Sequence, residues 1–125
     1  MSNNKKRILV IEDEAILQKS LNDVLVQEGY DVLSSLDGAS GLNLALKEEL
    51  DLILLDIILP KMDGFEVLKK LKEADSQVPI IILTNLSDIN DIQKALDLGV
   101  TTYLVKADFH LDDVLKKVKE TISKD

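Results

Sequence analysis

DLILLDIILPKMDGFEVLKKL, residues 51–71, holds two kinds of hydrophobic pattern joined by one acid. Leu52 to Leu55 is a continuous apolar run with no polar alternation, the signature of a strand buried on both faces. Asp56 ends that run. After the Pro60 loop, Asp63 stands where a helix N-cap belongs, and Phe65, Leu68 and Leu71 recur at helical spacing. The stretch therefore predicts strand, acidic strand end, loop and helix.

The same unit repeats in both directions. Ile8 to Ile11, Val32 to Ser35, Ile80 to Leu83 and Thr102 to Val105 are the other short apolar runs. Between and after them lie helical stripes: Leu17, Leu21, Val24 and Leu25; Leu42, Ala45 and Leu46; Ile92, Ala95 and Leu96; and Leu111, Val114, Leu115, Val118 and Ile122. Asp37 and Asp88 are two further candidate N-caps, and Gly29 and Gly99 follow helical stripes where a left-handed C-cap is wanted. Five strands alternating with five helices predict an α/β fold, a flavodoxin-like three-layer sandwich around a parallel sheet. The expected strand order is 2-1-3-4-5, with the ligand crevice at the carboxyl ends of the first and third strands.

The chain has 125 residues, nearly half of them hydrophobic and 30% charged, so one globular domain over 1–125 is expected. Residues 1–6 are expected to be flexible, and no effector domain is expected within the chain. The formal net charge of -8 repels nucleic acid and acidic membranes and suits proteins or cations as partners. There is no cysteine, which excludes disulfides and thiolate metal sites. The polar, basic start from Met1 to Arg7 is not a secretory signal, and the runs Leu52 to Leu59 and Val78 to Leu83 are too short to span a bilayer. A cytoplasmic location is expected.

The strand ends carry the chemistry. The first strand runs into Glu12, Asp13 and Glu14, the third ends at Asp56, the fourth at Thr84 and the fifth at Lys106. Carboxylates crowded into a crevice repel one another, and a hard divalent cation removes that cost. An all-oxygen donor set without His or Cys suits Mg2+ rather than zinc. A cation, an ammonium and a hydroxyl around one carboxylate are what phosphoryl transfer requires, with Asp56 as the nucleophile.

Taken singly, these residues have plainer explanations. Asp56 could be a loop carboxylate, Glu12 to Glu14 could open a helix whose dipole favours acids, Tyr103 could be core, and Thr84 and Lys106 could be an ordinary strand end and solvated surface. Their convergence on one rim outweighs those separate readings. His110, the one histidine, falls among polar residues at a helix start and reads as solvated. Lys116, Lys117, Lys119 and Lys124 read as a solvated helix face.

Several stretches together resemble the response-regulator receiver family, over nearly the whole chain. RILVIEDE (7–14) is similar to the family's first strand with its acidic pair, and residues 51–71 to its phosphoacceptor strand, loop and third helix. VPIIILTN (78–85) and GVTTYLVK (99–106) are similar to its last two strands. The resemblance implies a two-component signalling switch that accepts a phosphoryl group from a histidine kinase or phosphotransfer protein onto Asp56. It implies no enzyme beyond catalysis of its own phosphorylation and slow autodephosphorylation. It further implies Mg2+ held by Asp13, Asp56 and the backbone carbonyl of Ile58, with Glu12 acting through water. Lys106 matches the family's lysine, and Thr84 and Tyr103 match the switch pair. The implied output is a protein target on the face made by the helix around Ile92, the strand Thr102–Val105 and the helix Leu111–Ile122, with no direct contact to nucleic acid or membrane.

Other classes leave different marks. A nucleotide or flavin binder needs a Gly- or Ser/Thr-rich loop after the first strand, where this chain has three carboxylates. An aspartyl-phosphate hydrolase places a second Asp two residues after the nucleophile, where this chain has Ile58. A receiver-like scaffold that works without phosphate is the remaining alternative, and only phosphorylation chemistry separates it.

Three departures from the family pattern carry expectations. Ala107-Asp108 stands in place of the usual single Pro after the lysine, so the loop gains a residue and a trans Lys106–Ala107 bond is expected. Thr101 and Thr102 replace the acids of a charged dimer face. Ile58 and Leu86 occupy the two positions from which polar side chains orient the hydrolytic water, which predicts a long-lived phosphorylated form.

Overall fold

The computed structural model describes residues 5–100 and 102–123. Expectations resting on residues 1–4, Thr101 and Lys124 lie outside the described residues. The elements alternate as β1 (Arg7–Ile11), α1 (Ala15–Gln27), β2 (Asp31–Ser35), α2 (Gly38–Lys47), β3 (Leu52–Leu55), α3 (Gly64–Glu73), β4 (Ile80–Thr84), α4 (Ile89–Asp97), β5 (Thr102–Val105) and α5 (Leu111–Ile122). All strand pairs are parallel, in the order β2-β1-β3-β4-β5. This is the expected flavodoxin-like fold.

Period-2 alternation sorts the strand side chains into two cores. Leu9, Ile11, Ile53, Leu55 and Ile82 pack with Leu42, Ala45, Val67, Leu68, Leu71 and Ala95 of α2, α3 and α4. Ile8, Val10, Leu52, Leu54, Ile81, Leu83 and Leu104 pack on the other face with Leu21 and Leu25 of α1 and Val114 and Val118 of α5. Covering both faces explains why β1 and β3 have no polar side chain after Arg7. Each such fully buried aliphatic side chain contributes about 1.5–3 kcal/mol of transfer free energy before chain entropy is counted.

The helix starts follow the expected caps. The side chains of Asp37, Asp63 and Asp88 accept hydrogen bonds from the backbone N–H of Ser40, Glu66 and Asn90. Gly29 and Gly99 take φ of 95° and 100°, a region that Cβ-bearing residues rarely enter. Two stripe members need correction, because Leu46 and Leu96 are exposed. Each directly follows a buried Ala, Ala45 or Ala95, and one position is about 100° around the helix, enough to leave a narrow buried face.

Candidate functional site

The register of the sheet assembles the site. Ile11 pairs with Leu55, so the next residues, Glu12 and Asp56, leave β1 and β3 side by side. Backbone bonds hold both exits: Asp56 N–H donates to the Ile11 carbonyl at 3.0 Å, and Glu12 N–H to the Ser35 carbonyl at 3.0 Å. Thr84 ends β4 opposite Val105, and Lys106 follows at the end of β5. Because all five strands run parallel, their carboxyl ends lie along one rim.

Glu12 and Asp56 are only 2% and 4% exposed, and Thr84 is fully buried. Charged groups so deep require partners. Lys106 supplies them. Its Nζ lies 2.8 Å from Asp56 Oδ2, 3.0 Å from Glu12 Oε1 and 2.5 Å from Glu14 Oε1. The amide of Ile58 donates to Asp56 Oδ1 at 3.2 Å, and the amide of Glu14 to Glu12 Oε2 at 3.0 Å. Burial pushes the Glu12 carboxyl up from 4.5 to about 7. Its bonds from Glu14 N–H and Lys106 offset part of this, and the neighbouring Asp56 adds to it. Burial also works against the charge on Lys106, but its bonds to Asp56, Glu14 and Glu12 outweigh burial and hold the ammonium above the ordinary lysine value.

Asp13 is exposed at the mouth, and one carboxylate oxygen from each of Glu12, Asp13 and Asp56 lies within 4.8 Å of the others. Three converging oxygen donors, two of them buried, fit a hard divalent cation. The upward shift of Glu12 is the cost that such a cation would remove.

Thr84 and Tyr103 meet through one residue between them. Leu86 N–H points at Thr84 Oγ1 at 3.5 Å, while its carbonyl accepts from the Tyr103 hydroxyl at 2.9 Å. Burial, followed by the charges of Asp91 and Asp56, raises the Tyr103 hydroxyl above its ordinary value. The Leu86 side chain packs against the core beneath α2, α3 and α4, whereas the side chain of Ile58 is exposed.

The chain leaves Lys106 through a 3₁₀ turn, Lys106–Asp108, closed by Phe109 N–H on the Lys106 carbonyl at 3.3 Å. No described peptide bond is cis, so the expected trans Lys106–Ala107 bond holds. Exposed His110 caps α5, its backbone N–H donating to Asp113 at 3.0 Å, so it stays outside the site. Lys117 and Lys119 form exposed ion pairs with Glu120 and Glu28, in keeping with a solvated face.

Thus the structure brings together Glu12, Asp13, Asp56 and Lys106, with Thr84 buried at the adjoining strand end and Ile58 in the next loop. Sequence reasoning gave no role to Glu14 as a partner of Lys106. The acid was visible, but nothing in its spacing distinguished it from a helix-opening residue.

Residues 8–119 match the family description "Response regulator receiver domain". The chain is 35% identical over 115 residues to sporulation initiation phosphotransferase F of Bacillus subtilis, covering 92% of each. It is 41% identical over 113 residues to the transcriptional regulatory protein DltR of Streptococcus agalactiae, covering 90% of this chain but 50% of that one. It therefore spans about half the length of that regulator. A crystal structure of a CheY-like receiver domain protein from Methanospirillum hungatei superposes with a TM-score of 0.91 at 30% identity, covering 97% of this chain and 96% of that one.

Proposed function

The chain belongs to the response-regulator receiver family, whose members are signalling switches in two-component systems, and on that premise we propose that it is a Mg2+-dependent switch phosphorylated on Asp56. The observation that carries this reading is the buried Asp56 carboxylate, 2.8 Å from the Lys106 ammonium and clustered with the oxygens of Glu12 and Asp13.

Asp13, Asp56 and the Ile58 carbonyl would hold the cation, with Glu12 behind them through water. Bound there, Mg2+ supplies positive charge against the oxygens of the incoming phosphoryl group. In the transfer itself, an Asp56 oxygen bonds to phosphorus as the bond from phosphorus to the donor's histidine nitrogen breaks. The imidazole leaves with the electron pair. Lys106 pairs with Asp56 and holds it in place beforehand, then turns a donor toward the new phosphoryl oxygens. The Thr84 hydroxyl is the other donor, and its movement would reach Tyr103 through the backbone of Leu86, whose N–H donates to Thr84 and whose carbonyl accepts from Tyr103. The phosphoryl donor is a histidine kinase or phosphotransfer protein. The output is a protein target on the α4-β5-α5 face, and the net charge of -8 over the whole chain favours protein over nucleic acid as a partner. Slow hydrolysis of the acyl phosphate resets the switch.

Among the described residues no helix is long and apolar enough to cross a membrane. The test is labelling by a small phosphodonor. Asp56→Asn should retain the fold and lose all labelling, and Lys106→Ala should fold and label poorly. Undiminished labelling of Asp56→Asn would move the site elsewhere.

A further inference from the structure

Three carboxylates can converge on a cation only if the backbone that carries two of them is fixed. Glu12 and Asp13 sit in the short link between β1 and α1, and exposed Asp13 has no tight packing to hold it. The link is gripped instead by a residue one turn into α1. The side-chain amide of Gln18 donates at 3.2 Å to the Glu12 carbonyl and at 2.7 Å to the Ser35 carbonyl. Its backbone N–H donates at 2.9 Å to the Glu14 carbonyl. One residue therefore brackets Asp13 from both sides and ties the bracket to the end of β2.

The anchor is itself fixed. Ser35 is buried, its carbonyl also accepts from Glu12 N–H at 3.0 Å, and its hydroxyl bonds to the Asp37 carbonyl at 2.8 Å and to Ser40 Oγ at 2.6 Å. Gln18 is half-buried, so its amide bonds are partly shielded from competing water. Without that amide, the Glu12 carbonyl loses the donor that spans from helix to link, and the acidic segment can rotate while both flanking elements remain folded.

From this arrangement we infer that Gln18 is a positioning residue for the cation site. It aligns the Glu12–Asp13–Glu14 backbone so that the Asp13 and Glu12 carboxylates face Asp56, and it touches neither cation nor phosphoryl group. The inference rests on the reading that Glu12, Asp13 and Asp56 bind Mg2+.

The test is a Mg2+ titration of the whole chain, followed by the backbone amide NMR shifts of Glu12 to Glu14 and accompanied by thermal unfolding without cation. Gln18→Met keeps the length and removes both donors. It should raise the half-saturating Mg2+ concentration about tenfold, the lower end of what losing an outer support costs a metal site. The shift change at saturation should be unaltered. Gln18→Asn keeps the amide but cannot span both carbonyls, and should weaken binding less; it also serves if the Met variant fails to fold. Asn22→Ala is the control for a merely structural role. It removes another α1–β2 bond, from Asn22 to Ser34 Oγ at 3.3 Å, away from the acidic link, and should lower the unfolding temperature with the Mg2+ midpoint unchanged. An unchanged midpoint in a folded Gln18 variant overturns the inference. A parent chain with no Mg2+ response at these amides overturns the underlying reading instead.

Discussion

Glu12 is a buried carboxyl with an electrostatic conflict. Burial lifts its carboxyl from 4.5 to about 7, so the folded chain keeps this proton at a pH where the unfolded chain has lost it. The stability tied to that proton is fully present below about 4.5 and is lost as pH rises through about 7. Without Mg2+, stability relative to Glu12→Gln should therefore fall across that window, by on the order of 2 kcal/mol. Saturating Mg2+ favours the ionised form and should shrink the loss. Denaturant unfolding of both proteins at several pH values, with and without the cation, measures it. If Asp56 is phosphorylated as proposed, two other single residues are expected to bear on the lifetime of that form. Ile58 is exposed beside Asp56 and offers apolar cover with no group to orient water, so Ile58→Asn should speed phosphoryl loss severalfold. The side chain of Leu86 is committed to the core, so Leu86→Glu should have the smaller kinetic effect and the larger cost in stability. Decay of phosphorylated Asp56 after donor removal, followed in all three proteins, ranks these effects.

Among the elements, β3 with the start of α3 couples stability to the site. Gly64 N–H donates to the Ile57 carbonyl at 2.7 Å, and a Cβ on Gly64 would stand 2.5 Å from the Asp56 carbonyl oxygen and 2.6 Å from Ile57 Cα. Backbone atoms cannot swing aside as a flexible side chain can. Gly64→Ala should thus cost about 1–3 kcal/mol through overpacking and lower the rate of Asp56 labelling by displacing its peptide. Circular dichroism with denaturant and a labelling time course separate the two effects. This segment was also the most legible in the sequence, because a buried parallel strand, a capping Asp and a helical stripe each have their own period. The 106–110 connection was less so. Its trans bond could be expected from Ala107-Asp108, but the 3₁₀ turn at Lys106–Asp108 depends on tertiary packing. The Lys106–Glu14 pair was hidden for a related reason. It joins residues far apart in the chain, and a charge at a helix start reads the same whether or not a distant lysine reaches it. Leu46 and Leu96 show the limit of periodicity, which gives the direction of a helical face more surely than its width.

At the scale of the whole molecule, the proposed switch requires a charge change at one rim to reach a distant face. Leu86 bonds to Thr84 through its N–H and to Tyr103 through its carbonyl, and the proposed route from the site to β5, α4 and α5 runs through it. A phosphoryl mimic on Asp56 with Mg2+ should therefore shift amide resonances in α4, β5 and α5 more than those in α2, and Thr84→Ala should abolish the distant part of the change. A response confined to the residues around Asp56 would show that no such coupling exists. That proposed switching depends on Asp56 accepting the phosphoryl group, and mass spectrometry after treatment with a small phosphodonor tests this most directly. With Mg2+, the intact chain should gain the mass of one phosphoryl group, peptide mapping should place it on Asp56, and excess chelator should prevent it. An unmodified chain under conditions that label another receiver, or a phosphoryl group on any other residue, would contradict the assignment.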